Sequence, residues 1–398
     1  MMMIRRFRNQ HAVLLAIVVI GTICIVLFMS PKPIRQETEY PLDEWVRTPT
    51  IDCYGHFRAY GHEFAWLQYS HILSNTTFSV PCDSKVPAYN FRYSIEGPLQ
   101  MWMGNLMPYP TAYITDQDSH YVTAPTFVIK RIEAHNLYHT LCEWMNVFLV
   151  SKVMKLNASL VDIVWIDDRP PSPLDDTWTV LFDNVYIYKR DENLVYKNLI
   201  WNIIGYNSPI NFHNLPAAPY FEDFRDFFLK AYGVSDEKRL DCNILKITVI
   251  LRKDYMTHPE RKELFNGLVH RKFKNEDEIV DNVKSVFTQA TVETVILEQM
   301  SMLDQLKVMT QTDVLIGMHG AGMSHVMFLP AHAAVFEIFP QYWGFLRHFK
   351  AFARWRGVKY FGWKNEDLKN EFDGFYTYIP SSVVREHCQK ILNWRCMW

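Results

Sequence analysis

A strand that runs directly into a glycine-histidine loop constrains this chain more than any other feature. The stretch Asp313-Val-Leu-Ile-Gly-Met-His-Gly-Ala-Gly-Met-Ser-His325 opens on an apolar run and then spaces Gly317, Gly320 and Gly322 along one loop. Val314 to Ile316 is predicted as a buried strand, with a helix following and ending before Pro330. Glycine lets a backbone turn tightly and lets a ligand come close. Backbone N–H groups at a helix start suit a phosphate, so Gly320, Ala321 and Gly322 are candidate binding residues. A strand-to-helix turn without ligand is the competing reading. His319 and His325, flanking the glycines, favour the functional one.

A second strand end points the same way. Ile247 to Leu251 is apolar and delivers Arg252 and Lys253 at its end. Arginine grips phosphate oxygens bidentately and lysine acts as a point charge. Together with the glycine loop, these cations predict a diphosphate pocket.

Other apolar runs repeat the strand pattern at Thr126 to Ile129, Asp162 to Ile166, Val185 to Tyr188, Thr294 to Leu297 and Val335 to Ile338. Helical patterns alternate with them over Asn136 to Val153, Tyr220 to Ala231, Glu276 to Val286, Met302 to Thr310 and Phe345 to Arg356. Such alternation predicts an α/β architecture. Two doubly wound lobes, divided near the polar stretch 232–244, would leave a ligand cleft between them. With 41 basic against 43 acidic residues and no basic run, nothing points to nucleic acid.

Upstream of this body, Arg5, Arg6 and Arg8 precede an uncharged stretch from Ala12 to Met29, closed by Pro31 and Pro33. Eighteen helical residues reach about 27 Å, enough to cross a bilayer core. The flanking arginines predict a cytosolic N-terminus and a lumenal body; a cleavable signal peptide is the alternative. Cys24 lies in the span, leaving six cysteines. Cys53 with Cys82 and Cys388 with Cys396 are the economical pairings, and Cys142 fits a core thiol. Asn75 and Asn157 open N-glycosylation sequons, which suit the same compartment.

A third segment, Arg131-Ile-Glu-Ala-His-Asn-Leu-Tyr-His-Thr-Leu-Cys-Glu-Trp144, carries His135, His139 and Glu143 four residues apart. That spacing sets them on one helix face, where Glu143 or His139 could serve as a general base. The spacing differs from H-E-x-x-H, so metal binding is not expected there. Asp116-Gln-Asp118, Asp167-Asp168 and Asp175-Asp176 could hold a divalent ion, although short acidic pairs are read as structural. Trp144, Trp165 and Trp178 read as core packing before sugar stacking.

On these residues the sequence resembles glycosyltransferase family 61, and within it the core β-1,2-xylosyltransferases that modify N-glycans. Asn136-Leu-Tyr-His-Thr with Glu143-Trp144 is similar to the family's N-L-F-H-T…D-W, with glutamate where the family usually has aspartate. Asp176 to Phe182, Arg252 to Pro259, Asn275 to Glu278 and Met300 to Gln305 resemble further family segments. Gly317 to His325 resembles its G-A-H-G-A-G-L-T-H.

The resemblance implies a GT-B fold, type II topology, a Golgi membrane location (the ER as alternative), an inverting mechanism, a UDP-sugar donor and no required metal. It divides the chain into a cytosolic tail (1–11), a signal anchor (12–29), a stem (30–50), an acceptor lobe (51–235) and a donor lobe (236–398). Donor contacts are expected from Arg252, Lys253, His319, Gly320, Ala321, Gly322 and His325, and the base from Glu143 or His139. The leading expectation is xylose transfer from UDP-xylose to the core β-mannose of an N-glycan. The alternatives are O-linked N-acetylglucosamine transfer to folded secretory-pathway domains and an inactive lumenal glycan-binding protein.

Overall fold

Five short strands in the second half of the chain, the inner three of them buried, assemble into one parallel sheet. We label strands in the two main sheets, and the longer helices, in chain order. The computed structural model describes residues 39–74, 77–85, 105–115, 120–189, 194–255, 267–344 and 346–396. The expected anchor at 12–29, the Asn75 sequon and Asp116-Gln-Asp118 lie outside these. No helix among the described residues is long and apolar enough to cross a membrane. All of them belong to one compact unit, Glu39–Trp398.

The first sheet contains β1 (Thr50–Asp52), β2 (Phe57–Tyr60), β3 (Phe64–Leu67), β4 (Thr126–Ile129), β5 (Asp162–Trp165), β6 (Val185–Ile187) and β7 (Leu199–Trp201), in the order β1-β2-β3-β7-β4-β5-β6. Strands β7, β4, β5 and β6 run parallel, whereas β1, β2, β3 and β7 pair antiparallel. The expectation of a doubly wound first half therefore needs correction: the sheet is mixed. Short connections cause this. Residues 61–63 join β2 to β3, and a link that short permits only an antiparallel hairpin.

The second sheet contains β8 (Lys246–Ile250), β9 (Thr291–Val295), β10 (Val314–Met318), β11 (Ala334–Phe339) and β12 (Lys359–Lys364), in the order β9-β8-β10-β11-β12. Every pairing is parallel. Its central strands are buried along their length, which explains their unbroken apolar runs. Strand order reverses between β8 and β10, and ligands bind beyond the carboxyl ends of strands at such a switch point. Arg252 and His319 leave β8 and β10 there.

Helices α1 (Leu137–Val153), α2 (Phe221–Ala231), α3 (Glu276–Val286), α4 (Met302–Met309), α5 (His348–Arg356) and α6 (Ser381–Cys396) cover the sheets. The Asn136 side chain caps α1 by accepting from the Tyr138 amide at 3.1 Å. One apolar core runs through α1, α2, α5 and the 3-10 helix Ala321–Phe328, with Phe228 of α2 against Phe328 at 5.0 Å. Trp144, Trp165 and Trp178 pack edge-to-face within it.

Cysteine pairing follows helix geometry. Cys53 joins Cys82, as expected, and Cys142 is free and buried. The second pairing is corrected: Cys396 joins Cys242, and Cys388 is a free core thiol. Cys388 and Cys396 lie two turns apart on α6, a rise of about 12 Å, too far for a bridge that needs 4.4–6.8 Å between Cα atoms.

Candidate active site

A cleft of about 920 Å³ opens over the carboxyl end of the second sheet. Its floor is the glycine loop. Gly320 has no room for a side chain: a Cβ there would stand 2.1 Å from Nη1 of Arg252. The Arg252 guanidinium thus lies directly on the loop backbone, held by Nε donating to the His270 carbonyl at 3.0 Å. A second guanidinium joins it. Arg271 Nε donates to the His319 carbonyl at 2.7 Å, and its Cζ lies 4.2 Å from the Trp343 ring centroid. Arg271 has φ of 61°, a left-handed conformation that costs a non-glycine residue about 1 kcal/mol. Neither guanidinium has a carboxylate in hydrogen-bonding reach among the described residues. Burial lowers the pKa of Arg252, and burial with Arg252 beside it lowers that of Arg271. An incoming anion would relieve both penalties.

His319 lines the cleft beside them and stacks on Phe339. Its Nδ1 is 2.5 Å from Glu337 Oε1, and the Tyr360 hydroxyl donates to Glu337 Oε2 at 2.7 Å. Ala321 and Gly322 also line this floor.

Two expected donor contacts fall elsewhere. Lys253 ion-pairs with Glu276 and faces a separate cavity of about 420 Å³. Both residues lie just past the end of β8, and there the Glu276 carboxylate at the start of α3 holds the Lys253 ammonium away from the cleft that Arg252 lines. His325 is fully buried, with Nδ1 2.9 Å from the Gly322 carbonyl, one 3-10 turn back. Burial lowers its pKa to about 4, which keeps it neutral in the core below the loop.

The opposite wall comes from the segment after β4 and the start of α1. Arg131 anchors it: Nη2 bonds Asp167 at 2.9 Å, Nη1 bonds Asp175 at 2.9 Å, and the guanidinium covers Trp165. Both aspartates are held in these ion pairs. The anchored backbone brings Glu133 to the cleft, with Oε2 3.2 Å from His139 Nδ1. His139 Nε2 contacts the Tyr206 hydroxyl. A carboxylate on Nδ1 leaves Nε2 as the basic nitrogen, the arrangement of an oriented general base.

Glu143 does not line the cleft. It is 3% exposed, and its Oε1 accepts the Ile132 amide at 2.8 Å. Burial raises its pKa to about 8. Four residues from His139 it shares that helix's face, but one turn deeper the face is covered by protein. Glu143 therefore supports the loop that carries Glu133 and does not face the cleft. Among the described residues no group of three His, Cys, Asp or Glu is arranged to hold a metal ion.

A family model for Glycosyltransferase 61 matches residues 102–336, more than half of the chain. The chain belongs to the glycosyltransferase 61 family. A Beta-1,2-xylosyltransferase of Arabidopsis thaliana is 26% identical over 281 residues, covering 60% of this chain and 51% of the relative. An EGF domain-specific O-linked N-acetylglucosamine transferase of Mus musculus is 28% identical over 287 residues, covering 68% and 51%. Beta-1,2-xylosyltransferase RCN11 of Oryza sativa subsp. japonica is 24% identical over 269 residues, covering 61% and 49%. The chain spans about half the length of these curated relatives.

The span shared with the glycosyltransferase 61 family holds Glu133, His139, Arg252, Arg271 and the glycine loop, and it ends one residue before Glu337. Sequence reasoning missed two charged groups that line the cleft, Arg271 and Glu133, and the buried Glu337 behind His319. Arg271 and Glu133 lie in irregular segments without periodic signal. Glu337 had one: a single carboxylate inside an apolar strand marks a buried charge that must have a partner.

Proposed function

We propose that this chain is an inverting glycosyltransferase that takes its sugar from a UDP-sugar. The observation that carries this reading is the pair Arg252 and Arg271, converging on a glycine loop at a strand switch point with no carboxylate hydrogen-bonded to either among the described residues. Such a pair suits a diphosphate and would neutralise the charge that develops as it leaves. Two fixed cations give that stabilisation without calling on a metal. In the reaction the acceptor hydroxyl displaces the Tyr206 hydroxyl from His139 Nε2 and gives that nitrogen its proton, with Glu133 holding Nδ1. Its oxygen attacks C1 of the sugar from the face opposite the diphosphate. The bond from C1 to the diphosphate breaks, and UDP departs with the electron pair.

The preferred donor is UDP-xylose, and the preferred acceptor the core β-mannose of an N-glycan, as the Arg252 to Pro259 and Met300 to Gln305 segments suggest. The second reading is N-acetylglucosamine transfer to a folded protein domain. It is favoured by the larger share of the chain, 68% against 60%, over which a relative of that name matches. A GT-B arrangement, an arginine-flanked signal anchor, a lumenal body in the Golgi and glycosylation at Asn75 and Asn157 belong to the same proposal. Asn157 is exposed, in keeping with its part.

UDP release by purified protein, measured over a panel of UDP-sugars with and without EDTA, tests the reading. A truncated N-glycan and a folded protein module serve as acceptors. Turnover that survives EDTA is expected, and Arg252→Ala or Arg271→Ala should raise the donor KM at least tenfold, the worth of a charge-assisted hydrogen bond. No turnover with any UDP-sugar would leave the inactive glycan-binding reading.

A further inference from the structure

Glu337 is a buried carboxyl on the middle of β11 with no exposure at all. An isolated buried charge is costly, and an apolar residue would pack there more cheaply. Its two oxygens are fully used: Oε1 by His319 Nδ1 at 2.5 Å, and Oε2 by the Tyr360 hydroxyl at 2.7 Å. The three residues come from adjacent strands, His319 at the end of β10, Glu337 on β11 and Tyr360 on β12.

We propose that Glu337, backed by Tyr360, is a positioning residue that fixes the proton on Nε2 of His319, so that this nitrogen donates a hydrogen bond to the departing diphosphate. The proposal rests on the reading of the cleft as a nucleotide-sugar site.

The reasoning is a count of protons. Glu337 can donate its carboxyl hydrogen to Nδ1, or an imidazolium Nδ1–H can donate to a carboxylate. Both arrangements hold the same number of protons, and in both Nε2 carries a hydrogen. Only an ionised Glu337 beside a neutral Nδ1–H ring turns the Nε2 lone pair outward, where it would repel phosphate. The surroundings favour the first arrangement. Burial raises the Glu337 carboxyl to about 8. Burial, Arg271 and Arg252 disfavour a charged ring, lowering His319 to about 3. Among the described residues, Tyr360 from β12 faces Glu337 and His348 on α5 faces His319. As the bond from C1 to the diphosphate oxygen breaks, the electron pair stays on that oxygen and the Nε2–H bonds to it. No proton need be transferred, and no further reactant is required.

Calorimetric titration of the protein with UDP from pH 6 to 9, together with nitrogen NMR of labelled histidine, tests this. The expected wild-type result is an Nε2–H tautomer of His319 at pH 7 and a loss of UDP affinity of about tenfold as pH rises past about 8. Glu337→Leu should weaken UDP about tenfold at pH 7 and abolish the alkaline fall. Glu337→Gln can still donate to Nδ1 and accept from Tyr360. It should restore affinity at pH 7 to within about threefold of wild type and remain flat in alkali. Tyr360→Phe removes a bond that favours the ionised carboxyl, so the fall should move to higher pH. Tight UDP binding by a protein whose His319 carries its proton on Nδ1 would overturn the positioning role and leave the sugar-transfer reading standing. Tight binding by Glu337→Leu with an unchanged alkaline fall would do the same. Wild-type protein that binds no UDP would overturn both.

Discussion

His139 and Glu143 share one face of α1, yet they have different chemical surroundings. His139 borders the cleft with Glu133 on its Nδ1, whereas Glu143 is sealed behind the Ile132 amide. A general base must come within hydrogen-bond reach of the proton it takes, and of the two only His139 borders the cleft. Replacing it with alanine should lower kcat by roughly 10²–10⁴-fold, with the donor KM little changed. Glu143→Gln should keep kcat within about threefold, because an amide can still accept the Ile132 amide hydrogen. Steady-state kinetics on the two variants decides between them, and a kcat collapse in Glu143→Gln would return that carboxyl to the chemistry. Residue types along a helix can be read from spacing. Which turn of the helix reaches solvent depends on the elements packed over it, and spacing does not carry that.

On the proposed function, the glycine loop is the element on which donor binding turns. A Cβ on Gly320 would overlap the far end of Arg252, and one on Gly322 would stand 2.8 Å from Leu297 Cδ1. In both cases a side chain, not the backbone, has to give way. Gly320→Ala should therefore leave the fold intact and push the guanidinium off the loop. Expected is a loss of UDP affinity of at least tenfold in a titration, with the unfolding midpoint lowered only slightly. Unchanged affinity would mean that Arg252 does not hold the diphosphate. The inner strands β8, β10 and β11 and the helices α3 and α4 were legible, because parallel strands buried on both faces leave unbroken apolar runs between amphipathic helices; the half-exposed edge strand β12 and the helix α6 were not read. Glu276–Val286 is the clearest case: the helix spans the residues its pattern marked. The antiparallel extension β1 to β3 was not legible. Its strands have three or four residues each, too short for a periodicity to register.

At the scale of the whole molecule, buried titratable groups shape stability. His213 and His319 are lowered to about 3, and His325 and His348 to about 4, chiefly by burial. Below pH 6.5 the unfolded chain takes up protons that these rings refuse, so stability falls as the medium is acidified. Glu143 and Glu337 act in the other direction. Their carboxyls are raised to about 8 from an ordinary value of 4.5. Between those values the unfolded chain releases protons that the folded one keeps, so stability also falls as pH rises towards 8. Where the windows overlap, from 4.5 to 6.5, the histidines outnumber the carboxyls and stability still rises with pH. Urea unfolding should therefore show its highest midpoint near pH 6.5, with a decline on each side. A midpoint that climbs steadily to pH 8 would contradict the neutral burial of Glu143 and Glu337.

The sequence by itself determined the α/β class, the strand ends that carry Arg252 and His319, and the glycine loop between strand and helix. Those features follow from local patterns: apolar runs, helical spacing and residues that permit tight turns. Only the tertiary structure decided which cations share the cleft and which carboxyls lie buried. Lys253 turns away to its ion pair with Glu276, and Arg271 turns in from a segment with no pattern at all. The strand-to-loop feature kept its place as the centre of the site. Its partners, Arg271, Glu337 and Tyr360, came from strands and turns distant in the chain, and only the folded sheet brings them into contact.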